Sequence, residues 1–214
     1  MTKIEDMAAF FGNARQTLFA GTLSQPQVDG INRLVKALGA YGGDDPRFWA
    51  ADLATSYLET GRKMQPIPEE GGDAYFFRMY DKDGDRPTVA AELGNTEPGD
   101  GVKFHGRGDV QNTGRRNYQF WQDRLGLPLV ENPDLILTEP GVSARILIEG
   151  CRLGTFTGKK HADYLTATST DFRNDRRVVN GTDRAAEYAF ICERWLKALQ
   201  SGGLVCVAGP GLSS

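Results

Sequence analysis

Cysteine is scarce in this sequence. Cys151, Cys192 and Cys206 are the whole complement in 214 residues. An odd number without close pairing excludes a disulfide framework, and no Cys-x-x-Cys spacing offers a metal knuckle. Synthesis in a reducing compartment follows as the simplest expectation. Long apolar runs are missing too. Nothing approaches the roughly 18 residues a membrane helix needs, so membrane insertion is not expected. The first residues, MTKIEDMAAFFGNARQTLF, carry acidic groups where a secretory leader has a basic and then an apolar run. The Asn180-Gly181-Thr182 sequon therefore carries no weight. No charge of one sign dominates: 25 basic and 28 acidic side chains leave a net −3, which does not point to nucleic acid. Internal repeats are absent as well.

What is present is a soluble-type composition, 40% hydrophobic and 25% charged, long enough for one sizeable domain or two lobes. The apolar periodicity is helical. Val28, Ile31, Leu34, Val35 and Leu38 follow Ser24-Gln25-Pro26 and stop at Gly42-Gly43. Asp45 and Pro46 have the chemistry of an N-cap and a first helical residue, predicting a helix over 46–60 with Glu59 in its last turn. Residues 74–80 (AYFFRMY) suit strand or helix. Further helices are expected over 117–125, 142–150 and 185–199. Residues 1–200 are expected to form one catalytic domain, and 201–214, without a charge, a flexible tail.

The unusual stretch is 94–118, GNTEPGDGVKFHGRGDVQNTGRRNY. Its glycines, among them Gly94, Gly99, Gly101, Gly106 and Gly108, permit tight backbone and close approach by a ligand. Arg107, Gln111, Thr113, Arg115, Arg116 and Asn117 then supply donors and acceptors at short intervals. This predicts an ordered polar loop lining a groove and running into a helix at Tyr118. Upstream, Glu59 at a helix end and Glu69 in a proline-turned loop are two carboxylates of the kind glycoside hydrolysis needs. One donates a proton to the leaving oxygen and the other activates water. Apolar neighbours such as Trp49, Tyr57 and Leu58 would raise the acid's pKa. Composition alone favours reading both glutamates as ordinary surface charges.

Three motifs carry a resemblance: Leu58-Glu59-Thr60-Gly61, Met64-Gln65-Pro66-Ile67-Pro68-Glu69, and the run from Gly106 to Tyr118. In this order they resemble glycoside hydrolase family 19, which includes chitinases and bacteriophage endolysins. The segments 94–101, 154–158 and 177–183 are similar to the endolysin branch. The resemblance spans about residues 25–200 and implies a mainly α, lysozyme-like fold of two helical lobes with a central cleft. It implies Glu59 as general acid, Glu69 as the base of an inverting mechanism with Glu70 as fallback, and Thr113 as the hydroxyl that holds the water. Gln111, Asn117 and Asn180 would bind sugar, and Arg107 belongs to the same group as a buttress of the loop. No cofactor or metal is implied. The expected partner is the glycan of peptidoglycan, cleaved at β-1,4 bonds by a monomer made in a bacterial cytoplasm and acting on the wall. A chitinase, or a weakened glycan-binding protein, is the alternative.

Three positions depart from the family pattern. Leu58 stands where a His is usual, and Asp109 and Asn112 where apolar residues are usual. A buried Asp or Asn without a partner costs about 1–3 kcal/mol, so either partners exist or the loop is arranged differently. Asp81-Lys82-Asp83-Gly84-Asp85 has the outline of a calcium loop, but Arg86 occupies the position that needs glycine, and an ordinary acidic turn is expected. His105 and His161 are isolated in sequence and are expected to be structural.

Overall fold

The computed structural model describes residues 2–139 and 141–206. In chain order the elements are β1 (Thr2–Ile4), α1 (Met7–Leu18), α2 (Gln25–Tyr41), α3 (Pro46–Glu59), β2 (Ile67–Pro68), α4 (Asp73–Tyr80), α5 (Pro87–Leu93), α6 (Asp100–Lys103), β3 (Arg107–Gly108), α7 (Arg115–Leu125), α8 (Leu135–Thr138), α9 (Val142–Leu153), α10 (Phe172–Asp175), α11 (Ala185–Ser201) and β4 (Leu204–Cys206). Helices predominate, as the periodicity predicts. No helix among the described residues is long and apolar enough to cross a membrane.

Local chemistry sets the helix starts. Ser24 caps α2 through a reciprocal box with Gln27, which satisfies two backbone donors that a helix start leaves open. Asp45 accepts from the Arg47 amide, and Pro46 occupies the first turn of α3. The ambiguous aromatic run becomes the helix α4, with only Phe76 fully inside. A strand there would bury every second residue.

The chain forms two compact units. The first comprises residues 1–65 and 144–214, the second 66–143. In the first, α3 is buried from Trp49 to Leu58 and packs on α11, which also packs on α1. Trp195 stacks on Phe10 with centroids 6.0 Å apart, and the Phe19 ring meets Tyr57 edge-on. The Tyr57 hydroxyl donates to the Leu18 carbonyl, and the Trp49 indole donates to the Gly43 carbonyl. Strand β4 pairs antiparallel with β1, Thr2 opposite Cys206. Residues 204–206 are therefore tied into a sheet, which corrects the expectation of a loose tail from residue 201. The remainder of that stretch lies outside the described residues.

The second unit packs α4 against α5 and α6, and α5 against α7, around Phe76, Phe104, Tyr118 and Trp121. Its organiser is Asp81, fully buried, whose carboxylate accepts from the backbone amides of Asp83, Gly99 and Gly101. The acidic turn is thus a loop anchor. Strands β2 and β3 pair antiparallel, Ile67 opposite Gly108.

Candidate active site

The second unit gathers most of the expected site around Gly106. The Glu69 amide donates to the Gly106 carbonyl at 2.8 Å, and the Gly106 amide returns a bond to Glu69 Oε2 at 3.0 Å. The Tyr80 hydroxyl donates to the other oxygen, Oε1, at 2.7 Å. Burial, then the hydrogen bond to Glu69 and its charge, push the Tyr80 phenol far above its ordinary range, so it stays a neutral donor. Both carboxylate oxygens of Glu69 are thereby oriented. Glu70, the fallback, is exposed.

Gly106 is required here for space. A Cβ on it would lie 2.7 Å from Gln111 Oε1, 3.0 Å from Glu69 Oε2 and 3.2 Å from Thr113 Oγ1. Three of the expected site groups therefore converge on one point of backbone. Gln111 holds a left-handed φ of 52°, a conformation that costs a non-glycine residue about 1–3 kcal/mol and clusters at working sites. Its amide nitrogen donates to the carbonyls of Ile67 and Gly108, while its Oε1 is buried without a partner. Thr113 Oγ1 donates to the Gln111 carbonyl, and Asn117 Nδ2 donates to the Thr113 carbonyl. The loop is thus ordered by its own polar groups, as its composition predicts.

Arg107 does not face outward. It is 6% exposed, pairs with Asp134 at 2.8 Å and donates to the Lys103 and His105 carbonyls and the Tyr118 hydroxyl. Its donors are used in buttressing the loop, the role the resemblance implies for it. Asp109 has the partner its burial requires: the Ser143 hydroxyl donates to its carboxylate and accepts from its amide. The Asn112 backbone pairs with Arg107 in both directions, but its side-chain nitrogen is buried without a partner. His105 stacks on Phe76 with centroids 4.2 Å apart and is structural.

In the first unit, Glu59 ends α3 and pairs with Arg176 at 2.7 Å. The aromatic residues expected around it are spent elsewhere. Trp49 and Tyr57 are bonded within the core, and the group that meets the Glu59 carboxylate is a guanidinium. Arg176 is 3% exposed, sits in a short 3-10 turn and also donates to the Asp183 carbonyl. Sequence reasoning missed it, although it adjoins the 177–183 segment. Asn180 lies in the same turn region, exposed, its amide bonded to the Arg176 carbonyl.

One further cluster is invisible to spacing. Asp52 on α3, Cys151 on α9 and His161 are completely buried, with ligand atoms within 4.8 Å of one another. The expectation that the chain lacks a metal-ligand cluster is therefore revised. His161 Nδ1 lies 2.8 Å from Asp175 Oδ1 and Nε2 lies 3.2 Å from Asp52 Oδ1. The Tyr188 hydroxyl donates to the second oxygen of Asp175. Burial pushes the Cys151 thiol up to about 12.

No protein-family model matches the chain. A segment of 45 residues is 49% identical to chitinase 11 of Oryza sativa subsp. japonica, and one of 48 residues is 44% identical to the acidic 27 kDa endochitinase of Solanum lycopersicum. These matches take in 21% and 22% of this chain and span only 18% and 19% of those relatives. Among solved structures, chitinase C from Streptomyces griseus HUT6037 superposes with a TM-score of 0.61 at 20% identity over 99% of this chain and 80% of its own. A bacterial family 19 chitinase gives 0.58 at 20% identity over 94% and 95%. A class IV family 19 chitinase from Zea mays gives 0.54 at 15% identity over 89% and 90%. The chain has the mainly helical, lysozyme-like fold of the family 19 chitinases, and its local motifs are similar to those of that family.

Proposed function

We propose that the protein is a glycoside hydrolase that cleaves β-1,4 bonds in the glycan of peptidoglycan, with inversion at the anomeric carbon. The observation that carries this reading is the convergence of Glu69 Oε2, Thr113 Oγ1 and Gln111 Oε1 on Gly106, with Glu69 held by Tyr80 and the Gly106 amide. An oriented carboxylate beside a hydroxyl is what a water-activating base needs. The fold and the local motifs support the same class of reaction.

In the proposed reaction Glu59, protonated, gives its proton to the glycosidic oxygen as that bond to the anomeric carbon breaks. Glu69, ionised, takes a proton from the water whose oxygen attacks the same carbon from the opposite face. Thr113 helps hold that water. Gln111 Oε1, a buried acceptor without a partner, is suited to an N–H donor such as a sugar N-acetyl amide. Asn117 and Asn180 are the further sugar-binding residues. Arg176 stabilises the carboxylate that Glu59 becomes once its proton has left. Proton exchange with solvent then resets both groups.

Peptidoglycan is placed ahead of chitin because segments 94–101, 154–158 and 177–183 are similar to the endolysin branch. On that reading the protein acts as a monomer, is made in a bacterial cytoplasm and reaches the wall after release. A chitinase is the second reading, favoured by the names of the relatives and structural neighbours. Digestion of purified sacculi and of chitin, followed by mass spectrometry of the products, separates the two. Muropeptides cut at a single type of glycosidic bond support the proposal. Chito-oligosaccharides with intact sacculi overturn it in favour of the chitinase. Binding to sacculi without new reducing ends overturns both.

A further inference from the structure

The first unit contains a group of chemically active side chains that hydrolysis does not use. Asp52, Cys151 and His161 come from three separate elements, are each completely buried, and bring a carboxylate oxygen, a thiol and an imidazole nitrogen within 4.8 Å of one another. A carboxylate, an imidazole and a thiol are the donors zinc uses in proteins. The rest of a protein core avoids such a concentration of polar groups unless it is satisfied.

The satisfaction here is uneven. His161 Nδ1 makes a full hydrogen bond to Asp175 at 2.8 Å, whereas Nε2 stands 3.2 Å from Asp52 Oδ1, at the long edge of the N–H···O range. Asp52 Oδ2 is buried without a partner. Two ligands on one tetrahedral zinc, with bonds of about 2.0–2.2 Å, stand roughly 3.3–3.5 Å apart. The Nε2···Oδ1 separation is already close to that edge.

The surroundings fit the same chemistry. A histidine that ligates through one nitrogen commonly donates its other N–H to a carboxylate, which fixes ring orientation and tautomer. Asp175 does this for Nδ1, and Asp175 is itself held by the Tyr188 hydroxyl. The protein ligands are three, Nε2, Cys151 Sγ and the Asp52 carboxylate, whose two oxygens are too close to fill two tetrahedral corners; the orphaned Oδ2 can complete a chelate through that one group.

We propose that Asp52, Cys151 and His161 form a buried structural site for a zinc-type divalent cation, with Asp175 as the carboxylate that orients the histidine. Binding needs the Cys151 sulfur as thiolate and Nε2 as an acceptor, so the cation displaces the protons those two atoms carry. Since the ligands are sealed from solvent, the cation enters as the chain folds, tying α3, α9 and the His161 turn together.

The test is to produce the full-length protein in medium supplemented with zinc and, separately, with cobalt. Metal content is measured by plasma mass spectrometry after dialysis against chelator, alongside the near-ultraviolet absorption of the cobalt form. The proposal expects stoichiometric metal that resists dialysis and a thiolate-to-cobalt charge-transfer band. Cys151→Ser should abolish the band, and Asp175→Asn should weaken retention about 10–100-fold, both with native far-ultraviolet circular dichroism. Folded wild-type protein without metal overturns the proposal. So does metal bound without a thiolate band, or metal retained unchanged in Cys151→Ser. The wild-type measurement decides the matter even if a variant fails to fold.

Discussion

Gly106→Ala is the substitution from which the most can be worked out. The added Cβ would lie 2.7 Å from Gln111 Oε1, 3.0 Å from Glu69 Oε2 and 3.2 Å from Thr113 Oγ1, against an ordinary contact that begins at 3.4 Å. By subtraction, the three oxygens must retreat by about 0.7, 0.4 and 0.2 Å. Side-chain ends can give that much, so the stability cost should fall near the low end of the overpacking range, about 1 kcal/mol. For a chain of this length that is a fall of roughly 2–4 °C in Tm. Catalysis is less tolerant. Misplacing reacting groups by about 1 Å costs on the order of 100-fold, and the smaller shifts here predict a loss of about 10–100-fold in the rate of reducing-end release from sacculi. Gly12→Ala is the matched control. It lies inside α1 with nothing within 4 Å of its would-be Cβ, so it should raise stability by about 0.5–1 kcal/mol and leave turnover alone. Wild-type turnover in a folded Gly106→Ala protein would refute the reasoning.

Glu59→Gln should lower lysis of permeabilised Gram-negative cells by at least about 100-fold, the ordinary contribution of a general acid, with unchanged circular dichroism. Ser143→Ala removes the hydroxyl that both donates to and accepts from Asp109, and should cost about 1–3 kcal/mol in denaturant unfolding. Asp100 supplies a pH dependence. Burial raises its pKa, but Arg115 and the amides of Glu97 and Thr96 more than offset this, and the carboxyl lies below its ordinary 3.8. A depressed folded pKa means stability that is fully present above the unfolded value and lost as pH falls through the folded one. The stability difference between wild type and Asp100→Asn, measured by urea titration, should therefore be flat above about pH 5 and shrink below about 3.8. A difference that grows as the pH falls would contradict this.

What could be seen in the sequence was what is decided locally. Ser24 with Gln27, and Asp45 with Pro46, announce two helix starts because capping needs only neighbours within a turn. The density of amides and hydroxyls after Gly106 announces an ordered polar loop because those groups bond largely to that loop's own backbone. What could not be seen depends on partners distant in sequence. Arg107 could be named as a buttress of the loop, but not the partners that hold it inward, Asp134 and Tyr118. Glu59 looked as if it would keep aromatic company, yet Trp49 and Tyr57 satisfy their polar tips elsewhere and Arg176 takes the carboxylate. Residues 204–206 lack charge and resemble a tail until β1 offers them an edge to pair with. The Asp52, Cys151 and His161 cluster follows the same rule, since it draws on three elements that no spacing rule connects.

The central claim is that two carboxylates hydrolyse a β-1,4-linked N-acetyl sugar polymer with inversion. The most direct measurement is proton NMR of the first reducing ends released by the wild-type protein from a soluble peptidoglycan glycan, read before mutarotation scrambles them. The account predicts that the α-anomer appears first, and that neither Glu59→Gln nor Glu69→Gln releases it. A β-anomer appearing first, or undiminished release by Glu69→Gln, would contradict the account.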